Sequence, residues 1–172
     1  MKKTAIIVAG GTGQRMGTAL PKQFLAIEGK SILLHTIGQF MTAFADINFI
    51  IVLPADYIQE GQALITASGL NQPFQFVAGG DTRFQSVKNG LAQADPDAIV
   101  FVHDAVRCLL TPDLIQRCYQ QALEKGSAIP AVSSTDTIRI TEGTNHHVVD
   151  RANVMMIQTP QTFNAALLKK AF

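Results

Sequence analysis

The chain has 172 residues, 47% apolar and 16% charged, with a formal net charge of +1. That length supports one domain with a hydrophobic core and is too short for two. The near-neutral balance without a basic cluster argues against a nucleic-acid partner, and no apolar run reaches the roughly 18 residues of a membrane span.

The first residues, MKKTAIIVAGG, imitate the start of an export signal. The apolar run breaks at Gly10-Gly11 and no cleavage pattern follows, so the segment reads as the first strand, over 5–9. A glycine-rich stretch, Gly10 to Gly17, comes directly after it. Leu33, Ile37, Phe40, Met41 and Phe44 then make one apolar helical stripe, with Ser31 as its expected N-cap. Apolar runs at 49–53 and 74–77 read as strands. Phe84, Val87 and Leu91 make a second stripe, led by Asp81 as the expected cap. A strand follows at 98–102, then a helix carrying Leu114, Ile115, Cys118 and Leu123, then a strand at 128–132. Residues 134–153 break the rhythm: two alternating stretches flank a Glu-Gly-Thr-Asn turn, the pattern of a β-hairpin. The last residues, 167–172, look helical and have no cap. Cys108 and Cys118 lack metal-ligand spacing and read as reduced thiols of a cytoplasmic protein.

Strands apolar on both faces, alternating with amphipathic helices, predict an α/β fold with a largely parallel sheet between helical layers. The whole chain, 1–172, is expected to be a single domain. A lone hairpin is marginal in water, so the 134–153 arm is expected to pack on something, such as a second subunit.

The chemistry-bearing residues fall at the ends of predicted strands, where open α/β sheets bind ligands. Glycines after the first strand let backbone N–H groups approach phosphates closely. The loop lacks the Gly-Lys-Ser/Thr of a Walker loop. It also lacks the third glycine of a dinucleotide fingerprint, and the second strand ends in Leu53-Pro54 without a ribose-binding acid. It offers Arg15 instead, followed by Lys22 in Leu20-Pro21-Lys22-Gln23-Phe24, where Pro21 stiffens the approach. Two fixed cations over a glycine loop suit a reaction at a nucleotide's α-phosphate, offsetting charge on its oxygens and on the departing pyrophosphate. Gly79-Gly80-Asp81-Thr82-Arg83, with Ser86 one turn on, exposes backbone groups that could read a base edge. His103-Asp104-Ala105-Val106-Arg107 places a carboxylate and an arginine just past a buried strand.

Taken in order, GGTGQRMG, PKQF, GGDTRFQSV, VHDAVR, DT, VDR and QTPQTF resemble the 2-C-methyl-D-erythritol 4-phosphate cytidylyltransferases of the non-mevalonate isoprenoid pathway. The likeness runs from residue 5 to about 163. It implies a three-layer, Rossmann-like nucleotidyltransferase fold and transfer of CMP from CTP to methylerythritol phosphate. It implies that Arg15 and Lys22 stabilise the transition state. Ala9, Gly10, Gly11 and Gly13 would wrap CTP, and Gly80, Asp81 and Ser86 would recognise cytosine and ribose, with Ala105 close by. Asp104, Arg107 and Thr137 would face the polyol phosphate, completed by Arg151 and Thr159 from the hairpin of a neighbouring subunit in a homodimer. A magnesium ion would ride on the triphosphate and not on a protein metal site. Cys108 stands where the family usually has proline, and Val106 where alanine is commoner. Family members also continue into a segment bearing threonine and lysine, so the resemblance implies an incomplete C-terminus here.

Three other readings share some of these residues. Ribitol 5-phosphate cytidylyltransferases carry nearly the same motifs, and a catalytically silent nucleotide-binding module would keep the fold. A dehydrogenase is disfavoured by the glycine spacing and the absent acid.

Overall fold

The computed structural model describes residues 1–9 and 20–172. The glycine loop and Arg15 therefore lie outside the described residues. Strands β1 (Lys3–Val8), β2 (Ala26–Ile27), β3 (Lys30–Ser31), β4 (Asn48–Leu53), β5 (Phe74–Ala78) and β6 (Ile99–Asp104) fill the first part of the chain. They alternate with helices α1 (Ile32–Ala43), α2 (Ile58–Ser68) and α3 (Arg83–Gln93). Helix α4 (Pro112–Lys125) follows, then β7 (Ser127–Ala128), β8 (Ala131–Ser133), β9 (Ile138–Glu142), β10 (Asn145–Val149), β11 (Met155–Ile157), β12 (Gln161–Asn164) and α5 (Ala165–Ala171).

Six strands form the central sheet in the order β5-β4-β1-β6-β12-β7. The first four are mutually parallel, and β12 enters antiparallel between β6 and β7. Alternate residues of each strand face opposite ways, so the sheet splits the core in two. Ala5, Ile7, Phe49, Ile51, Ile99 and Phe101 pack under α1 and α4. Ile6, Val8, Ile50, Val52, Val100 and Val102 pack under α3 and the start of α5. This is the expected three-layer α/β architecture with a mostly parallel sheet.

The helix starts follow local chemistry. Ser31 caps α1 as expected, its Oγ accepting from Leu34 N at 3.2 Å. Thr111 does the same for α4, with Pro112 in the first turn. The cap of α3 differs from expectation: Thr82, not Asp81, accepts from Gln85 N at 3.0 Å. Thr82 holds the extended conformation a cap requires, and its hydroxyl serves the orphan N–H three residues on. Asp81 is left exposed on the turn. Leu123, expected on the inner face of α4, is exposed, and Tyr119 and Ala122 are buried there instead.

Two expected strands are also redrawn. The run at 128–132 splits: β7 joins the main sheet, while β8 pairs with β11 in a separate two-stranded sheet. Pro130 lies between them and has no N–H for a ladder; its carbonyl accepts from Gln158 N at 2.8 Å. The hairpin is present, β9 pairing with β10 across Gly143-Thr144. The β8–β11 pair extends its stem, so the arm is longer than 134–153. Ile138 pairs with Val149 and Ile140 with His147, whereas Val148 pairs with Arg139. The apolar residues of the hairpin therefore do not share one face. Ile140 and Val148 are exposed, as are Val132, Met155, Met156 and Ile157 of the stem.

Helix α3 lies close on the sheet because Gly90 faces it. A Cβ at Gly90 would sit 2.7 Å from Ile6 Cγ2 and 2.9 Å from Val52 Cγ2. Alanine is the better helix former by up to about 1 kcal/mol, but overpacking a core costs roughly 1–3 kcal/mol. The net effect of Gly90→Ala should therefore be a loss of stability of up to about 2 kcal/mol in urea unfolding. An unchanged or raised midpoint would show that α3 can move off the sheet freely.

Candidate active site

The ends of β1, β5 and β6 lie at the same edge of the sheet, and at each a ladder bond is carried one residue past the strand. Ala9 N donates to Val52 O at 2.8 Å, Gly79 N to Leu53 O at 2.7 Å, and Ala105 N to Val8 O at 2.9 Å. Ala9, Gly80 and Ala105 are thus brought to one edge by the backbone itself.

At the β5 loop, Gly80 N donates to Ser86 Oγ at 3.1 Å, which draws the turn onto the first turn of α3. Ser86 is buried. A Cβ on Gly80 would fall 2.2 Å from Gln85 Cγ and 2.6 Å from Gln85 Cβ, so only glycine fits there. Asn89 Nδ2 donates to Ala78 O at 3.0 Å and braces the same loop from the next helical turn.

At the β6 loop, one carboxylate serves two arginines. Arg83 Nε donates to Asp104 Oδ1 and Arg107 Nε to Asp104 Oδ2, both at 3.0 Å. Arg107 Nη1 also donates to Gln158 Oε1 at 2.7 Å. Two guanidiniums against one carboxylate leave this corner with a net positive charge, a suitable seat for a phosphate ester. Asp104 still has lone pairs for hydroxyl donors.

His103 lies beneath this loop with no exposed surface. Its ring packs edge-on against Phe40. A carbonyl can only accept, so Nε2 carries the proton and donates it to Arg107 O at 3.2 Å. Nδ1 is then bare, and it has no partner among the described residues. Thr36 Oγ1 donates to Ala105 O at 2.7 Å from α1. Together they hold the backbone of 104–107 from below.

The remaining expected residues are spread more widely. Lys22 sits on a single 3-10 turn, Lys22–Phe24, tied to Ala9 through Gln23. Thr137 is exposed at the base of the hairpin. Arg151 begins a 3-10 turn just after the hairpin, and its Nη1 donates to Thr135 O at 2.9 Å. Among the described residues, no hydrogen bond or ion pair joins Thr137 or Arg151 to Asp104 or Arg107. Thr159 is not on the hairpin: it follows β11, beside Gln158, and its buried Oγ1 lacks a partner among the described residues. Gly10, Gly11, Gly13 and Arg15 lie outside the described residues. Arg83, Gln158, His103 and Gln23 are polar residues of this edge to which the sequence motifs assign no role. A groove of about 450 Å³ lined by Lys30, Leu34, Met41 and Leu70 shares none of these residues.

The family model described as IspD, 2-C-methyl-D-erythritol 4-phosphate cytidylyltransferase, matches residues 3–172. The chain belongs to this family. The family's enzyme from Bacteroides thetaiotaomicron is 41% identical over 172 residues, which are all of this chain and 78% of that protein. A solved structure of the Francisella tularensis 2-C-methyl-D-erythritol 4-phosphate cytidylyltransferase superposes with a TM-score of 0.79 at 28% identity. It covers 99% of this chain and 76% of that one. The Anaerococcus prevotii 4-diphosphocytidyl-2C-methyl-D-erythritol synthase gives a TM-score of 0.81 at 26% identity, over 98% of this chain and 72% of that one. This cytidylyltransferase family consists of nucleotidyltransferases, so the dehydrogenase reading is set aside.

Among the described residues, no three His, Cys, Asp or Glu side chains could together hold a metal ion. Both oxygens of Asp104 are taken by arginines. Cys108 and Cys118 are both free thiols, and burial raises the pKa of Cys118. No helix among the described residues is long and apolar enough to cross a membrane.

The placement of His103 sets a pH dependence. Burial lowers its pKa to about 4, against a supporting hydrogen bond to Arg107 O. An unfolded histidine titrates near 6.5. Between these values the unfolded chain takes up a proton that the folded chain refuses. Stability is thus full above about pH 6.5 and falls as the pH drops toward 4, by on the order of 3 kcal/mol in all. Urea unfolding at pH 7 and pH 5 should show about 2 kcal/mol of this loss in the wild type and much less of it in His103→Gln. An equal loss in both proteins would clear His103 of the effect.

Proposed function

We propose that this chain transfers the cytidylyl group of CTP to 2-C-methyl-D-erythritol 4-phosphate, giving 4-diphosphocytidyl-2-C-methyl-D-erythritol and pyrophosphate. A phosphate oxygen of the polyol attacks the α-phosphorus of CTP and a new P–O bond forms. The bond to the bridging oxygen breaks in line, and pyrophosphate leaves with the electron pair. No covalent enzyme intermediate is needed. The observation that carries this reading is the shared edge of the sheet. There the Gly80–Ser86 turn stands beside the Arg83–Asp104–Arg107–Gln158 chain, directly past the strand that leads into the glycine loop.

In this reading Ala9, Gly10, Gly11 and Gly13 hold the triphosphate, and Gly80, Asp81 and Ser86 face cytosine and ribose near Ala105. Asp104 accepts from polyol hydroxyls, and Arg107, Thr137, Arg151 and Thr159 take the substrate phosphate and its neighbours. Arg15 and Lys22 offset charge gathering on the α-phosphate and the leaving pyrophosphate, and deleting either cation should raise the barrier by on the order of 2.7–4 kcal/mol. Magnesium arrives bound to the phosphate oxygens of CTP. The setting we assign is the cytoplasm, with which two free thiols agree.

Pyrophosphate release, measured with each of the four nucleoside triphosphates and with methylerythritol or ribitol phosphate, tests the assignment. CTP with methylerythritol phosphate should be fastest. Comparable rates with ATP or GTP would sink the nucleotide assignment, and faster turnover of ribitol 5-phosphate would sink the polyol assignment.

The working unit in this proposal is a homodimer joined through the arm. Its Val132, Met155, Met156 and Ile157 are apolar side chains left about half exposed. A twofold mating of arms would bury them and carry Arg151 to the neighbouring site. Lys22→Ala and Arg151→Ala homodimers should each lose roughly 10²–10³-fold in turnover. A mixture of the two should regain activity, because one site in each heterodimer carries neither lesion. Stable heterodimers no more active than their parents would place Arg151 in its own subunit's site or in none.

A further inference from the structure

Lys22 stands on a short and weak element. The 3-10 turn Lys22–Phe24 is closed by Phe24 N to Pro21 O and Leu25 N to Lys22 O, at 3.0 and 3.1 Å. No side chain caps it, and a single 3-10 turn has little stability of its own. Two neighbours of Lys22 hold it down. Phe24 packs against the core and its ring meets Tyr57 at 5.9 Å. Gln23 is 2% exposed, and its Nε2 donates to Ala9 O at 3.0 Å. Ala9 is itself bonded to Val52 O, so the acceptor belongs to the rigid sheet. A buried carboxamide is costly unless paired, which makes this contact directional as well as tight. Lys22 is only partly buried, and among the described residues its ammonium has no hydrogen-bond or ion-pair partner.

We propose that Gln23 is a positioning residue: its side-chain amide fastens the turn carrying Lys22 to the last rung of β1, at the entrance to the glycine loop. Lys22 is thereby held at a fixed place beside the end of β1. The inference rests on the cytidylyltransferase reading above. It separates two tasks in one tripeptide, with Lys22 supplying charge and Gln23 supplying place. Misplacing a reacting group by about 1 Å can cost roughly 10²-fold in rate.

Two substitutions distinguish positioning from packing. Gln23→Met keeps the length and bulk of the side chain and removes the donor. Gln23→Glu can donate to Ala9 O only while its carboxyl is protonated, and burial raises a carboxyl pKa. With the full chain, Gln23→Met should lower kcat roughly 10- to 100-fold while the KM for CTP stays near wild type, with thermal unfolding confirming the fold. Gln23→Glu should turn over well at pH 6 and lose activity as the pH rises, with an ionisation absent from the wild-type profile. Lys22→Ala is run beside them. Should Lys22→Ala keep wild-type kcat, the reaction role of Lys22 fails, and this inference fails with it. Should Lys22→Ala be impaired while Gln23→Met turns over normally, Gln23 merely fills space and only the inference is overturned. Equal activity of Gln23→Glu and Gln23→Met at every pH would overturn it too. If Gln23→Met does not fold, the pH profile of Gln23→Glu decides the question.

Discussion

Strands buried on both faces leave a protein few places for polar chemistry, and that constraint organises this one. Ile6, Val8, Ile50, Val52, Val100 and Val102 face one helical layer, while Ile7, Ile51 and Phe101 face the other. Backbone ladders use up the polar groups between them. Only where the ladders stop can loops present donors, acceptors and charges to a ligand. The rungs from Ala9, Gly79 and Ala105 carry the ladder one residue past the strands. Each loop therefore starts from a fixed point, and side chains on different loops can meet at hydrogen-bond distances without a large entropic cost.

The electrostatics at that edge depend on the same rigidity. Asp104 lies between Arg83, on the first turn of α3, and Arg107, three residues downstream. Exposed ion pairs are worth little individually. Here they orient a carboxylate and share out a charge, and their contribution to stability is secondary. Beneath them, His103 and Thr36 hold the backbone of the same loop through buried bonds. The visible polar groups are thus supported by hidden ones.

Much of this was legible in the sequence. The β-branched runs located β1, β4 and β6, and the apolar stripes located α1, α3 and α4. Glycine with nearby charge drew attention to the ends of β1, β5 and β6. The failures have physical causes. Helix α2 hides because Gln59, Glu60, Gly61 and Gln62 interrupt its stripe, and Gly61 is there to clear Leu53, where an added Cβ would lie 2.4 Å from Cδ1. β12 is a short run in which only Thr162 is fully buried, so its pattern is too brief to read. Asp81 and Thr82 are both good caps, and only the backbone dihedrals choose between them. Gln23, His103 and Gln158 act through contacts to Ala9, Arg107 and again Arg107. Of these, only the His103 contact is local in the chain, and none leaves a periodic signal.

The arm leaves the sheet after β7 and returns through β12, and these two strands are bonded to each other: Ala128 faces Thr162 and Ser127 faces Phe163. Its two ends are therefore stapled side by side by the body of the protein. An excursion whose ends already touch can change length or sequence at small entropic cost, since doubling such a loop adds only about 0.6 kcal/mol. The layered body and the arm can then diverge almost independently, and the arm can be altered without disturbing the frame that carries the Gly80 and Asp104 loops.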